Sequence, residues 1–181
     1  LEPLQKLPDD LSSLDYRKIK ISGVFKHNKT LHLIGRQRGN FPGFFIVTPF
    51  ELKDDGRIIL VNRGFAPSGK ESKPEGVQTI EGVIRPPRIK RYFAPENMPK
   101  KNVWFYENIP AMSQATDLSL TSLIVEEVGK TENGAFPILG DGKINLQNEH
   151  LGYAITWFLT AIIGLIMFGF YYRKTEKTEV L

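Results

Sequence analysis

Residues 44–65 read FFIVTPFEL (44–52), KDDG (53–56) and RIILVNRGF (57–65). The two outer stretches are rich in β-branched and aromatic residues, the composition that fits a pleated, half-buried strand. Between them Asp54, Asp55 and Gly56 supply turn chemistry: side-chain acceptors for nearby N–H groups, and a residue free to take positive φ. The segment is therefore a predicted β-hairpin. Pro49 lacks an N–H and predicts an edge or a bulge within its first strand.

Outward from the hairpin, the flanking sequence repeats the same pattern. In Tyr16–Phe25, Ile19 and Ile21 alternate with bases, and Gly23 is expected to interrupt the strand. Leu31 and Leu33 form a short strand with His32 on its other face. Gln78–Arg85 is a further strand after a loop rich in Ser, Gly, Pro and Lys. Residues 86–106 are basic and marked by Pro86, Pro87, Pro95 and Pro99, so few regular elements are expected there. A short helix is predicted at Pro110–Thr116, with Pro110 in its first turn. Ser122–Val128 and Lys143–Leu146 close the list of strands, with Gly140-Asp141-Gly142 as a turn. The fold class is mainly β: a small antiparallel barrel or sandwich with one short helix, closed in a way that disposes of strand edges.

A different physics begins at Leu151. The run LGYAITWFLTAIIGLIMFGFYY (151–172) carries no charged residue, and about 20 apolar residues at about 1.5 Å each span a bilayer core. Tyr153 and Trp157 at one end, and Phe170, Tyr171 and Tyr172 at the other, suit the two interfaces. The expected organisation is an extramembrane β-rich domain over 1–149, a transmembrane helix over 150–172 and a tail over 173–181. Arg173, Lys174 and Lys177 follow the run closely, whereas the nearest base before it is Lys143. The positive-inside rule then puts the tail in the cytoplasm or matrix and residues 1–149 across the membrane. The N-terminal residues lack the apolar region of a signal peptide. An anchor ahead of Leu1 is the economical account of how the domain crossed; a tail-anchored topology, with the domain in the cytoplasm, is the alternative.

Bulk composition narrows the function. The 181 residues carry a formal net charge of +4, scattered along the chain, so nucleic acid is not an expected partner. There is no cysteine, which excludes disulfides, thiolate nucleophiles and cysteine-ligated metals. GDGK at 140–143 lacks the P-loop spacing, and no G-x-S-x-G, H-E-x-x-H or G-x-G-x-x-G occurs. Asp54 with Asp55, and Glu126 with Glu127, are sequence neighbours that a strand points to opposite faces, so they make poor acid–base pairs and read as solvated surface. Nothing here predicts an enzyme.

Of three histidines, His27 and His32 flank a polar turn and can share a metal only if a third ligand joins them. His150 stands directly before the apolar run, at the membrane boundary. Two readings fit it: an axial ligand of a haem iron, with the porphyrin against aromatic rings, or an interfacial histidine bonded to headgroups or the loop above. At 100° per residue His150, Ala154, Trp157, Ala161, Gly164 and Phe168 share a stripe, whose small residues allow another helix to approach.

The ordered set Gly43-Phe44-Phe45-Ile46-Val47-Thr48-Pro49-Phe50, Ile59-Leu60-Val61-Asn62-Arg63-Gly64-Phe65, Phe93-Ala94-Pro95-Glu96-Asn97, Trp104 and Asn148-Glu149-His150-Leu151-Gly152-Tyr153-Ala154-Ile155-Thr156-Trp157 resembles the Surfeit locus protein 1 family, the Shy-type assembly factors of cytochrome c oxidase. The resemblance runs from about Tyr16 to the end of the apolar run. It implies two membrane helices enclosing one domain on the periplasmic or intermembrane-space side of a bacterial inner or mitochondrial inner membrane. It implies a non-enzymatic role in the respiratory chain, binding haem a and assisting its insertion into the largest oxidase subunit, subunit one, with His150 as the haem ligand. Tyr153 and Trp157 would then pack the porphyrin, and the expected partners are subunit one, haem a synthase and membrane lipid. The alternative is a cofactor-free scaffold for a nascent oxidase subunit. Arg63 is a further candidate, as a guanidinium for a haem propionate.

Overall fold

The computed structural model describes residues 3–8, 10, 11, 14–34, 42–140 and 150–178, and of 150 and 172–178 the backbone alone. The chain divides into two units, Leu1–Lys143 and Ile144–Leu181.

In the first unit the strands are β1 (Lys18–Phe25), β2 (Leu31–Leu33), β3 (Phe44–Leu52), β4 (Ile58–Ala66), β5 (Val77–Arg85), β6 (Val103–Trp104) and β7 (Leu120–Glu127), with helix α1 (Ile109–Thr116) ahead of β7. Five of them close a ring that runs β1-β3-β4-β7-β5 and back to β1. The mainly β expectation is borne out, and of barrel or sandwich it is the barrel, in the order of a five-stranded Greek-key ring of the OB type. One seam departs from the antiparallel pattern: β4 and β7 run parallel.

The burial patterns explain why some strands alternate in sequence and others do not. In β1 and β5 the buried Ile19, Ile21 and Ile80 alternate with exposed or intermediate residues, and the alternation ends at the buried pair Ile84 and Arg85. β3 and β4 bury both faces, the situation that gives near-continuous apolar runs. Inside the ring Phe50, Ile59, Val61, Leu123 and Val125 pack with the residues of β1 and β5. Outside it a second core of Leu31, Leu33, Val47, Leu60, Trp104, Met112 and Ile124 lies under β2, β6 and α1.

Ring closure explains two residues that the sequence alone places differently. Gly23 does not interrupt β1. It pairs with Gln78 of β5 and with Leu52 of β3 at once, and a Cβ there would stand 2.2 Å from the Glu51 carbonyl oxygen. Only a glycine lets the two strands meet at the seam. Pro49 marks neither an edge strand nor the bulge, which lies between Phe45 and Val47. It sits where the outer neighbour of β3 changes from β2, paired at 45–47, to β1, paired at 50–52. Its carbonyl accepts the Lys26 N–H at 2.8 Å, so the missing N–H falls at the change of partner.

The hairpin turn follows its sequence. Gly56 has φ of 70°, and the Asp55 carboxylate accepts from the Arg57 N–H at 2.9 Å and from its Nε at 2.8 Å. In α1, Asn108 caps the Ala111 N–H at 3.2 Å and proline occupies the first turn. The predicted strand 143–146 lies outside the described residues, as does most of the 140–142 turn.

The second unit contains helix α2 (His150–Thr178). Its stretch Leu151–Tyr171, 21 residues of mean hydropathy 2.0, is long and apolar enough to cross a membrane. Thr156 and Thr160 donate their hydroxyls to the carbonyls of Gly152 and Thr156, at 2.9 and 2.8 Å. In lipid, where no water can serve them, both hydroxyls therefore carry their own partners. The helical backbone runs on past Arg173, into the stretch expected as tail.

Candidate functional site

At the start of α2 the backbone places His150 as the first helical residue, with Tyr153 three and Trp157 seven positions later. Residues at i, i+3 and i+7 share a helix face. Within their own unit all the described α2 side chains are exposed, Tyr153 and Trp157 among them, and these two rings share the face that His150 begins. The side chain of His150 lies outside the described residues, as do Asn148 and Glu149. Gly164, further along the stripe, has open space around it.

The other two histidines have separate neighbours. His27 shares a 2.8 Å hydrogen bond with the carbonyl of Pro74. His32 stacks on Phe44 with ring centroids 5.1 Å apart. Among the described residues no three His, Asp or Glu side chains gather into a metal site.

Arg63 faces into one mouth of the barrel, next in the inward series after Ile59 and Val61. It is buried, stacked 4.6 Å over Phe25, and donates to the Ser72 carbonyl at 2.9 Å. Held in this way it serves the barrel wall, and its guanidinium does not reach outward. Glu127 of β7 enters the same mouth, with Oε2 3.8 Å from Arg63 Nε. The mouth opens on a cavity of about 220 Å³ whose lining includes Thr131, Phe136 and Leu139. Burial lowers the Arg63 pKa, with Glu127 and Glu71 opposing. Burial likewise raises that of the Glu127 carboxyl, with Arg63 opposing. Glu127 is thus no solvated surface residue, contrary to the sequence expectation.

This has a measurable consequence. A carboxyl whose folded pKa lies above its unfolded value, here about 4.5, contributes stability below that value and loses it as pH rises through the folded pKa. Glu127→Gln abolishes the loss. The melting temperature of the variant minus that of the parent is expected to increase as pH is raised from below 4.5 to neutrality. A difference independent of pH would refute the assignment.

Glu126, on the opposite face of β7, meets Arg85 at 3.2 Å. Arg85 in turn forms a two-pronged ion pair with buried Glu107, 2.7 Å from NH1 to Oε2. Burial pushes Arg85 down, and the hydrogen bonds and charges of Glu107 and Glu126 more than restore it, leaving it above its ordinary value. Glu107 Oε2 also accepts the Arg88 N–H at 2.7 Å, and the Glu107 N–H reaches the Arg88 carbonyl at 3.0 Å. The segment 86–106 is thereby clamped at both ends. Within it the Asn97 side chain accepts from the Phe105 N–H at 2.8 Å and donates to the Tyr106 carbonyl at 3.2 Å. Between this segment and β3 lies an open groove of about 980 Å³, lined by Phe45, Pro87, Phe105 and Tyr106 among others.

A closed β-barrel domain, followed in sequence by a helix long and apolar enough to cross a membrane, defines a β-domain protein with one candidate membrane span. The family model described as "SURF1 family" matches residues 1–162, and the chain belongs to that family. It is 33% identical to Surfeit locus protein 1 of Rattus norvegicus over 196 residues, covering 96% of this chain and 63% of the relative. With Surfeit locus protein 1 of Homo sapiens the identity is 32%, over 96% of this chain and 65% of the relative. A SURF1-like protein of Monosiga brevicollis is 32% identical over 92% of this chain and 70% of its own length. The chain thus spans roughly two thirds of the length of these relatives. The resemblance read from the sequence is borne out, and the matched span includes His150, Tyr153 and Trp157.

Proposed function

We propose that this chain is a non-enzymatic assembly factor of cytochrome c oxidase, anchored by α2, that takes haem a as cargo and assists its insertion into subunit one. Family membership supports the assembly role. The observation that supports haem as cargo is the start of α2: the backbone sets His150 at the head of a face that Tyr153 and Trp157 share. An imidazole there supplies an axial nitrogen to iron, and the two rings offer an apolar surface to a porphyrin edge. Release follows when a histidine of the acceptor subunit replaces His150, so the imidazole must hold the cargo without enclosing it. With Arg173, Lys174 and Lys177 on the cytoplasmic or matrix side, the barrel and His150 lie on the periplasmic or intermembrane-space side of an inner membrane, within reach of haem a synthase.

The test is spectroscopic. Full-length protein is produced beside a haem a synthase, purified in detergent and its absorbance recorded. His150→Ala is expected to lower haem a affinity by about tenfold or more, since even a group hydrogen-bonded to a metal ligand is typically worth about 10–100-fold. Undiminished haem in the variant would remove His150 as ligand. A haem-free parent that co-purifies with subunit one would move the function to the cofactor-free scaffold.

A further inference from the structure

We infer that the turn at Arg91–Ala94 is a docking element for an anionic lipid surface. The Ala94 N–H donates to the Arg91 carbonyl at 3.0 Å, which makes a tight turn with Tyr92 and Phe93 as its central residues. Such positions normally go to Gly, Pro, Asn, Asp or Ser. Here Tyr92 and Phe93 are 92% and 91% exposed, packed edge-to-face on each other at 4.8 Å, and Ile89 beside them is 84% exposed. Three large apolar side chains within five residues, all almost wholly in solvent, mark an interaction surface.

The turn is no loose end. The Arg85–Glu107 ion pair and the two Arg88–Glu107 backbone contacts clamp its stem. Lys90 pairs with Glu96, and Glu96 accepts the Tyr106 hydroxyl at 3.1 Å. The two aromatic rings are therefore held out by a fixed scaffold, so docking them costs little ordering entropy.

Charge selects the occupant. Arg88, Lys90 and Arg91 are exposed in the same six-residue stretch, and basic residues beside Tyr, Phe and Ile match the headgroup region of an anionic bilayer. The same chain carries α2, long and apolar enough to cross a membrane; anchored there, the domain meets lipid at high effective concentration. The inference uses only the spanning helix and does not depend on haem or the oxidase.

The chain has no cysteine, so single labelling sites are clean. Full-length Ile89→Cys, Phe93→Cys and Asp54→Cys, the last on the exposed β3–β4 turn, are spin-labelled and reconstituted in phosphatidylcholine vesicles with and without phosphatidylglycerol. Labels at 89 and 93 are expected to gain oxygen accessibility and lose access to a water-soluble nickel complex on the anionic vesicles, while the label at 54 stays aqueous. Arg88→Gln with Arg91→Gln, in the Ile89→Cys background, is expected to reduce the docked population by about tenfold or more, with circular dichroism confirming the barrel. Labels at 89 and 93 as aqueous as that at 54 on both vesicles would overturn the inference. Protection that appears only when a protein partner is added would overturn it too.

Discussion

Glu107→Ala is expected to destabilise the barrel domain by about 3–5 kcal/mol, because it leaves the buried Arg85 guanidinium with only the partly exposed Glu126 as counter-charge. That is a large part of the roughly 5–15 kcal/mol a domain of this size commands. Two oxygens of Glu107 serve both prongs of Arg85 and the Arg88 N–H, so the loss removes three hydrogen bonds in one place. Glu126 makes a useful contrast. It touches the same arginine at 3.2 Å, but its side chain is about a third exposed, and Glu126→Ala is expected to cost no more than about 1 kcal/mol. Urea unfolding of the full chain in detergent, read through the buried Trp104, measures both. Equal effects would show that Arg85 draws its compensation from solvent. Replacing Arg85 and Glu107 together by apolar residues of similar volume is expected to recover much of the loss, since a buried pair is costly to break and cheap to remove whole.

Gly64→Ala is the second large effect, expected at about 3–5 kcal/mol. Gly64 has φ of 99°, and a Cβ would lie 2.1 Å from the Ile138 carbonyl oxygen. That oxygen accepts the Phe65 N–H at 3.0 Å, while the Ile138 N–H reaches the Phe65 carbonyl at 2.7 Å. Neither backbone can retreat without breaking both bonds, each worth about 1 kcal/mol net, and an alanine adds the strain of positive φ. Gly69 separates the two contributions: its φ is 73°, but nothing lies within 4 Å of where a Cβ would be. Gly69→Ala therefore carries strain alone, about 1 kcal/mol or slightly more. If Gly64→Ala cost no more than Gly69→Ala, the close approach of residue 138 would not matter to stability.

What the sequence revealed about the fold was its local part. The β3–β4 hairpin, β5, α1 and the apolar span were legible because each is determined by neighbours within a few residues. Gly23 and Pro49 depart from their local expectation for a common reason: their roles belong to a seam between strands far apart in sequence. Glu126 and Glu127 show a subtler limit. The rule that adjacent strand residues face opposite ways held, but both faces of β7 are covered near its end, so one glutamate entered the barrel mouth and the other met Arg85. In the sequence Arg63 is only a cation in a motif, and the packing turns it inward on Phe25. At the helix start the sequence supplies position alone: α2 begins at His150, with Tyr153 and Trp157 three and seven residues later.

The parallel seam between β4 and β7 also governs how this domain comes into being. Its partners stand about 60 residues apart, so the loop closure precedes any reward from the contacts. Until β7 has left the ribosome, the β3–β4 hairpin has only β1 and β2 beside it, and β4 presents an unpaired edge. A nascent chain of this kind passes through a slow stage with an open strand edge, the state most exposed to mispairing and to proteolysis.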